Sequence, residues 1–184
     1  MERISTSARR DQFGSKINRD HSPLLAIGLP WVSIMLASLT PLMPVIAAAP
    51  ILPPFAYLML LAWRFLRPGV LPLWAGAPLG LFDDLFSGQP FGSGVLLFSL
   101  TLIAVELLEL RFPWRGFWHD WATASLFLTL YLAIAALISG ADLTVIQLTV
   151  ILPQLLISIV LFPIIVRIVA LLDRVRLLRV RRLG

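Results

Sequence analysis

The sequence is poor in the residues that build disulfides, metal sites and soluble surfaces. Its 184 residues include no cysteine, which excludes a disulfide framework, a thiolate metal site and a cysteine nucleophile. The two histidines, His21 and His119, are far apart in the chain, so the sequence does not favour a histidine-based zinc site. Charged residues make up only 14% of the chain, against roughly 25% in an ordinary soluble domain. We therefore expect no metal and no cofactor.

Apolar residues, by contrast, make up 59% of the chain, which is more than a soluble protein of this size can bury. The sequence therefore predicts an all-α membrane protein, in which a spanning helix needs about 20 residues. Six apolar windows are the predicted transmembrane helices: 24–44, 51–66, 70–86, 91–110, 120–139 and 143–172. The second and third windows are short for a bilayer, which indicates local thinning or burial inside the bundle. The predicted organisation is a flexible basic cytosolic tail, a transmembrane domain and a basic cytosolic C-terminal tail, over residues 1–22, 23–172 and 173–184.

The positions of the basic residues predict the orientation. All 15 Lys and Arg residues lie in the N-terminal tail, in the second and fourth connections and at the C-terminal end, and the other three connections have none. Basic residues accumulate on the cytosolic side of membrane proteins, so both termini are predicted to be cytosolic. The same residues would contact anionic lipids, and no nucleic-acid partner is expected. Four tryptophans are predicted at the cytosolic membrane surface: Trp63, Trp114, Trp118 and Trp121.

Residues 76–94 are unusual because they hold five of the 11 glycines and two adjacent carboxylates, Asp83 and Asp84. Gly76 and Gly80 are four residues apart, so they share a helix face and permit a close helix approach. One interpretation of the aspartates is two carboxylates at the membrane surface, one of which caps or binds loop amides. Another is that one carboxylate faces the bundle interior and orients the outer loop or a partner. A catalytic pair would need a second acid on the outer half of another helix, and none is present.

Polar residues elsewhere suggest contacts between helices. Glu106 and Glu109 are three residues apart and are predicted to pair with nearby arginines, for which the candidates are Arg64, Arg67, Arg111 and Arg115. Gln147, Gln154 and Ser158 share one face of the sixth window, which is therefore predicted to point into the bundle. No serine–histidine–acid arrangement has useful spacing, so the protein is not expected to be an enzyme.

The segment 79–92, Leu-Gly-Leu-Phe-Asp-Asp-Leu-Phe-Ser-Gly-Gln-Pro-Phe-Gly, resembles the outer-loop motif of the MreD family. The resemblance covers about residues 24–172 and includes the entry to the second window at Pro53 and Pro54. In this register the family's acid falls on Asp84, and Asp83 is an extra carboxylate. The resulting candidate partner-binding or structural motif is Gly76, Gly80, Asp83, Asp84, Gly88, Pro90 and Gly92. We expect Asp84 to face protein and Asp83 to be the more solvated of the two.

The resemblance implies a fold and a function. The fold would be the six-helix fold of the substrate-binding subunits of energy-coupling-factor transporters. The function would be a non-enzymatic scaffold of the bacterial cytoplasmic membrane that binds MreC and connects MreB filaments to RodA and its transpeptidase partner. MreC would dock a transmembrane helix on the Gly76/Gly80 face and contact the loop 87–94, unless those glycines serve internal packing against the fourth or sixth helix. The alternative function is a small-molecule-binding subunit of such a transporter, which needs convergent polar groups at the outer helix ends. Windows one, two and four offer few such groups, which favours the scaffold.

Overall fold

The structure is a computed structural model that describes residues 23–43, 52–112, 116–140 and 145–176. All regular secondary structure within these ranges is helical, which confirms the predicted all-α class, and each apolar window overlaps one α-helix. The helices are α1 (Pro23–Ser38), α2 (Phe55–Leu66), α3 (Gly76–Asp84), α4 (Ser93–Arg111), α5 (Phe117–Ile138) and α6 (Val145–Arg176). Short 3₁₀ turns follow α1 at Thr40–Leu42 and precede α3 at Leu73–Ala75. The predicted flexible N-terminal tail, Trp114 and the side chain of Gln147 lie outside the described residues.

Three of the helices are long and apolar enough to cross a membrane. They are α4, with 19 residues, α5, with 22, and the 26-residue part of α6 from Ile151 to Arg176. The helices α2 and α3 have only 12 and nine residues. At a rise of about 1.5 Å per residue, neither reaches across a hydrocarbon core of about 30 Å as a straight helix. The second and third windows are therefore short as helices as well as in sequence.

The helix α2 forms the centre of the bundle. Every residue from 56 to 64 is buried, and the helix packs against α1 and α6 and more lightly against α4 and α5. A helix that is apolar on all sides is stable only when other elements surround it. Trp63 is 0% exposed, and its indole N–H donates to the hydroxyl of Ser33 at 2.9 Å. The prediction that Trp63 lies at the membrane surface is therefore wrong, because neighbouring helices cover the face on which it stands.

A second tryptophan, Trp121, satisfies a backbone carbonyl of α6 that has no donor within the helix. Pro163 has no N–H, so the carbonyl of Ile159, four residues earlier, loses its helical donor. The indole N–H of Trp121 on α5 donates to this carbonyl at 3.0 Å. In a membrane no water is at hand to satisfy a freed backbone group, so a neighbouring helix must do so. Trp121 therefore joins α5 to α6, whereas its neighbour Trp118 is 73% exposed.

Contacts between helix ends show that successive helices run in opposite directions. Asp84, at the end of α3, contacts the start of α4, and Ser38, at the end of α1, lies against Asp83. We call this the aspartate end of the bundle. At the opposite end, the arginine end, Arg64 near the end of α2 contacts the last turns of α4.

Candidate functional site at the aspartate end

Asp84 caps the helix that follows it. The helix α4 begins after Gly92, which has no side chain with which to cap the free N–H groups of the first turn. The Asp84 carboxylate takes this role: its Oδ2 accepts from the Gly92 N–H at 2.9 Å, and its Oδ1 accepts from the Gly94 N–H at 2.6 Å. The hydroxyl of Ser93 adds a longer hydrogen bond of 3.3 Å. A negative charge is favourable at a helix N-terminus, so these contacts fix α3 to α4.

The two helices also touch through backbone atoms. A Cβ atom at Gly76 would lie 2.6 Å from the Cα of Ser99, and one at Gly80 would lie 2.3 Å from the carbonyl oxygen of Gly94. The face that carries Gly76 and Gly80 is therefore closed by α4 of the same chain. The prediction that a partner's transmembrane helix docks on this face is wrong. The internal packing that was the alternative is present, and it involves α4.

The loop from 85 to 92 has a constrained conformation and an exposed apolar surface. Gly88 and Gly92 have φ angles of 69° and 97°, in the left-handed region that favours glycine. Pro90 is exposed between them. Leu85 and Phe91 are 61% and 71% exposed within the described structure. The loop therefore presents two large apolar side chains on a backbone that Asp84 holds in place.

Asp83 occupies a different environment from Asp84. The two residues are equally buried, each 6% exposed, so the prediction that Asp83 is the more solvated of the two is wrong. The reason is that α1 covers it: Ser38, itself 1% exposed, lies against the Asp83 carboxyl group. The part of the prediction that places Asp84 against protein is confirmed.

Asp83 also lines a cavity at the aspartate end. The cavity has a volume of about 200 Å³, and its polar lining comes from α2, α3, α5 and α6, from the 3₁₀ turn after α1 and from the loop after α3. These polar residues are Thr40, Tyr57, Asp83, Ser87, Gln89, Tyr131 and Gln154. The sequence analysis missed this convergence, because it found few polar groups in the outer halves of the first two windows. The signal was the presence of isolated polar residues within several apolar windows, which identifies a common site only once the helices are assembled.

Two tyrosines form one wall of the cavity. The rings of Tyr57 and Tyr131 stack with their centroids 4.0 Å apart. The Tyr57 hydroxyl shares a hydrogen bond with the hydroxyl of Thr101 at 2.9 Å. On the other side, the amide N–H of Gln154 donates to the carbonyl of Leu52 at 2.7 Å and joins α6 to the start of α2. These contacts hold the lining in position, and the contact of Gln154 confirms that the polar face of α6 points into the bundle.

Ion pairs at the arginine end join α2 to α4 and α6. Arg64, 2% exposed, pairs with Glu106 and lies 2.9 Å from Glu109, which confirms the predicted pairing of these glutamates with a nearby arginine. Arg67 pairs with Asp173 on α6 at 2.8 Å. Asp173 is 5% exposed, and the sequence analysis did not identify it as an inward-facing acid. The two arginines therefore connect the central helix to both α4 and α6.

Comparison with known families identifies one match. The family model described as rod shape-determining protein MreD matches residues 24–176, which include both aspartates and all six described helices. This match confirms the resemblance found in the sequence and shows a role in rod shape determination. It does not favour the alternative of a transporter subunit. The chain has no significant match among curated proteins or solved structures, so the likeness to transporter substrate-binding subunits stays a prediction.

Proposed function

The chain belongs to the MreD family, and we propose that it is a non-enzymatic scaffold subunit of the cell-elongation machinery in the bacterial cytoplasmic membrane. In this role it binds MreC and links MreB filaments to RodA and its transpeptidase partner. The described structure consists of helices and short connections. Within this described part, the surfaces open to partners are helix faces inside the membrane and exposed loops at its two surfaces.

The proposed topology has six membrane passes, cytosolic termini and the aspartate end on the outer side. The arginines support this orientation, because Lys and Arg are absent from the three connections assigned to the outer side. The alternating directions of the helices agree with it. The short helix α2 does not contradict it, because α2 is surrounded by protein and does not have to match the lipid thickness by itself.

Cysteine labelling tests this topology cleanly, because the chain has no cysteine of its own. We expect Gln89→Cys to react with an impermeant thiol reagent in intact cells and Gly116→Cys to react only after the membrane is opened. Both variants should be present in the membrane at equal levels. The reverse labelling pattern would refute the topology.

The observation that carries the proposed role is the Asp84-held loop with exposed Leu85 and Phe91. A large apolar side chain on a fixed backbone loses little conformational entropy when a partner covers it. On the outer side, such a loop suits the start of the extracellular region of MreC. With the Gly76/Gly80 face closed by α4, we propose that this loop is the main contact outside the membrane, next to a lateral contact with the transmembrane helix of MreC.

Co-purification from native membranes tests this contact. We expect Phe91→Ala to lower the recovery of MreC, because it removes the more exposed of the two large apolar side chains of the loop. Phe117→Ala is the matched control, since Phe117 is 58% exposed at the arginine end, and it should leave the recovery unchanged. Equal recovery with both variants would refute the role of the loop. Recovery of two transporter ATPases in place of MreC and RodA would refute the scaffold function itself.

A further inference from the structure

We propose that the cavity at the aspartate end holds one cationic side chain, Lys or Arg, from the extracellular region of MreC. This inference rests on the proposed function and adds to it the chemistry of one contact. The cavity is lined by Ser87 and Gln89, which belong to the same loop that presents Phe91. A partner that covers the loop would therefore lie next to the cavity.

In the described part of the chain, no Lys or Arg lies at the aspartate end to balance the charge in the cavity. No Lys or Arg occurs between residues 20 and 63, between 68 and 110, or between 116 and 166. The segments that form the aspartate end lie inside these ranges. Asp84 is stabilised by the backbone N–H groups at the start of α4, whereas the groups that act on Asp83 are the neutral hydroxyl of Ser38 and the like-charged carboxylate of Asp84. A carboxylate that is 6% exposed is expensive without a counter-charge, and an incoming cation would supply one.

The other lining groups also suit a hydrogen-bond donor. Gln154 uses its amide N–H to bind the Leu52 carbonyl, so the remaining polar atom of its side chain is an acceptor. The Gln89 carbonyl oxygen accepts from Ser93, and its amide N–H contacts the Tyr131 hydroxyl at 3.5 Å. A guanidinium or ammonium group brings several donors and no acceptor. It therefore complements the carboxylate, amide oxygens and hydroxyls of the lining, whose two glutamine NH2 groups are directed to Leu52 and Tyr131.

The size of the cavity favours a side chain over a vitamin-sized ligand. Its volume of about 200 Å³ lies below the range of about 300–1,000 Å³ that is usual for small-molecule pockets. A long, thin side chain with a charged end occupies less space than such a ligand. The aromatic wall of Tyr57 and Tyr131 can pack against its methylene groups.

A double-mutant cycle tests the proposal with purified full-length proteins in lipid nanodiscs. On this chain the variant is Asp83→Asn, which keeps the shape and removes the charge. On MreC, each extracellular Lys and Arg near the membrane is changed to Gln in turn. We expect Asp83→Asn to weaken binding about 10-fold or more and one MreC variant to weaken it similarly. The two changes together should weaken binding no more than either alone.

Glu106→Gln is the matched control, because it neutralises a carboxylate at the opposite end of the bundle and should be additive with every MreC variant. If Asp83→Asn does not fold, Gln89→Met provides the second cycle, since it alters the lining and keeps the charge. Additive effects throughout, with wild-type binding intact, would overturn this proposal and leave the scaffold function standing. Absence of wild-type binding to MreC would instead refute the proposed function. Stabilisation of the isolated wild-type chain by methylguanidinium, without coupling to any MreC residue, would show that the cavity takes a free cation and would also overturn the proposal.

Discussion

The close approach of α3 and α4 predicts opposite effects for one chemical change at two helical glycines. Gly80 lies against the backbone of α4, where a Cβ atom would come within 2.3 Å of the Gly94 carbonyl oxygen. Gly28, in α1, has no atom within 4 Å of the position of its added Cβ. The two substitutions Gly80→Ala and Gly28→Ala therefore add the same methyl group, at Gly80 against the α4 backbone and at Gly28 into open space.

The size of the effect at Gly80 follows from the distances. An ordinary Cβ contact is at least 3.4 Å, so the α4 backbone must retreat by about 1 Å at Gly94. The same movement stretches the bond between the Gly94 N–H and the Asp84 carboxylate, now 2.6 Å, to about the limit of hydrogen bonding. Overpacking costs about 1–3 kcal/mol, and a hydrogen bond to a charged group contributes about 1.5–3 kcal/mol. We expect Gly80→Ala to lower the free energy of unfolding by about 3 kcal/mol.

Unfolding in mixed micelles with increasing SDS, followed by tryptophan fluorescence, measures this difference. Gly28→Ala should unfold at the same or a slightly higher SDS fraction than the wild type, because alanine is the better helix former by about 0.5–1 kcal/mol. Gly80→Ala should unfold at a much lower SDS fraction than the wild type. A Gly80→Ala protein as stable as the wild type would refute the close backbone contact, and a loss of stability in both variants would show that the effect is not specific to it.

Three further predictions use the same unfolding measurement. Trp121→Phe should cost about 1 kcal/mol, because it leaves the α6 carbonyl freed by Pro163 without a donor, whereas Trp118→Phe should cost nothing. Arg64→Met should cost about 2 kcal/mol, because it removes the buried cation that Glu106 and Glu109 share, and a loss no larger than that of the exposed Arg174→Met would contradict the buried ion pair. Asp84→Asn should cost about 2 kcal/mol through weaker capping of α4, and unchanged stability would contradict the cap.

The number and positions of the helices could be predicted from the sequence because the bilayer imposes a strong pattern. Each apolar window overlaps one α-helix, and the shortness of α2 was visible in the length of its window. The central position of α2 could also be predicted, since residues 56–63 are apolar on every side apart from one tyrosine hydroxyl and one indole N–H. These features depend on local composition and on its period along the chain.

Features that depend on which helix packs against a given side chain could not be predicted from the sequence. A tryptophan next to an arginine at a helix end is typical of a membrane surface, yet Trp63 is covered because α1 lies over it and offers the Ser33 hydroxyl. Paired glycines predict a close contact but carry no information on whether the other helix belongs to the same chain. For Gly76 and Gly80, the connection from α3 to α4 is short, and the nearest available helix is therefore the next one in sequence.

The two adjacent aspartates show how one local motif acquires two roles. Neighbouring residues on a helix point about 100° apart, so Asp83 and Asp84 cannot serve the same neighbour. Asp84 points toward the start of α4, where backbone N–H groups satisfy its charge inside the chain. Asp83 points toward α1 and the cavity, whose lining among the described residues includes hydroxyls and no cation. A protein that needed only a rigid loop would gain nothing from this second buried carboxylate. The buried Asp83 carboxylate is explained if a cationic side chain of the partner balances its charge.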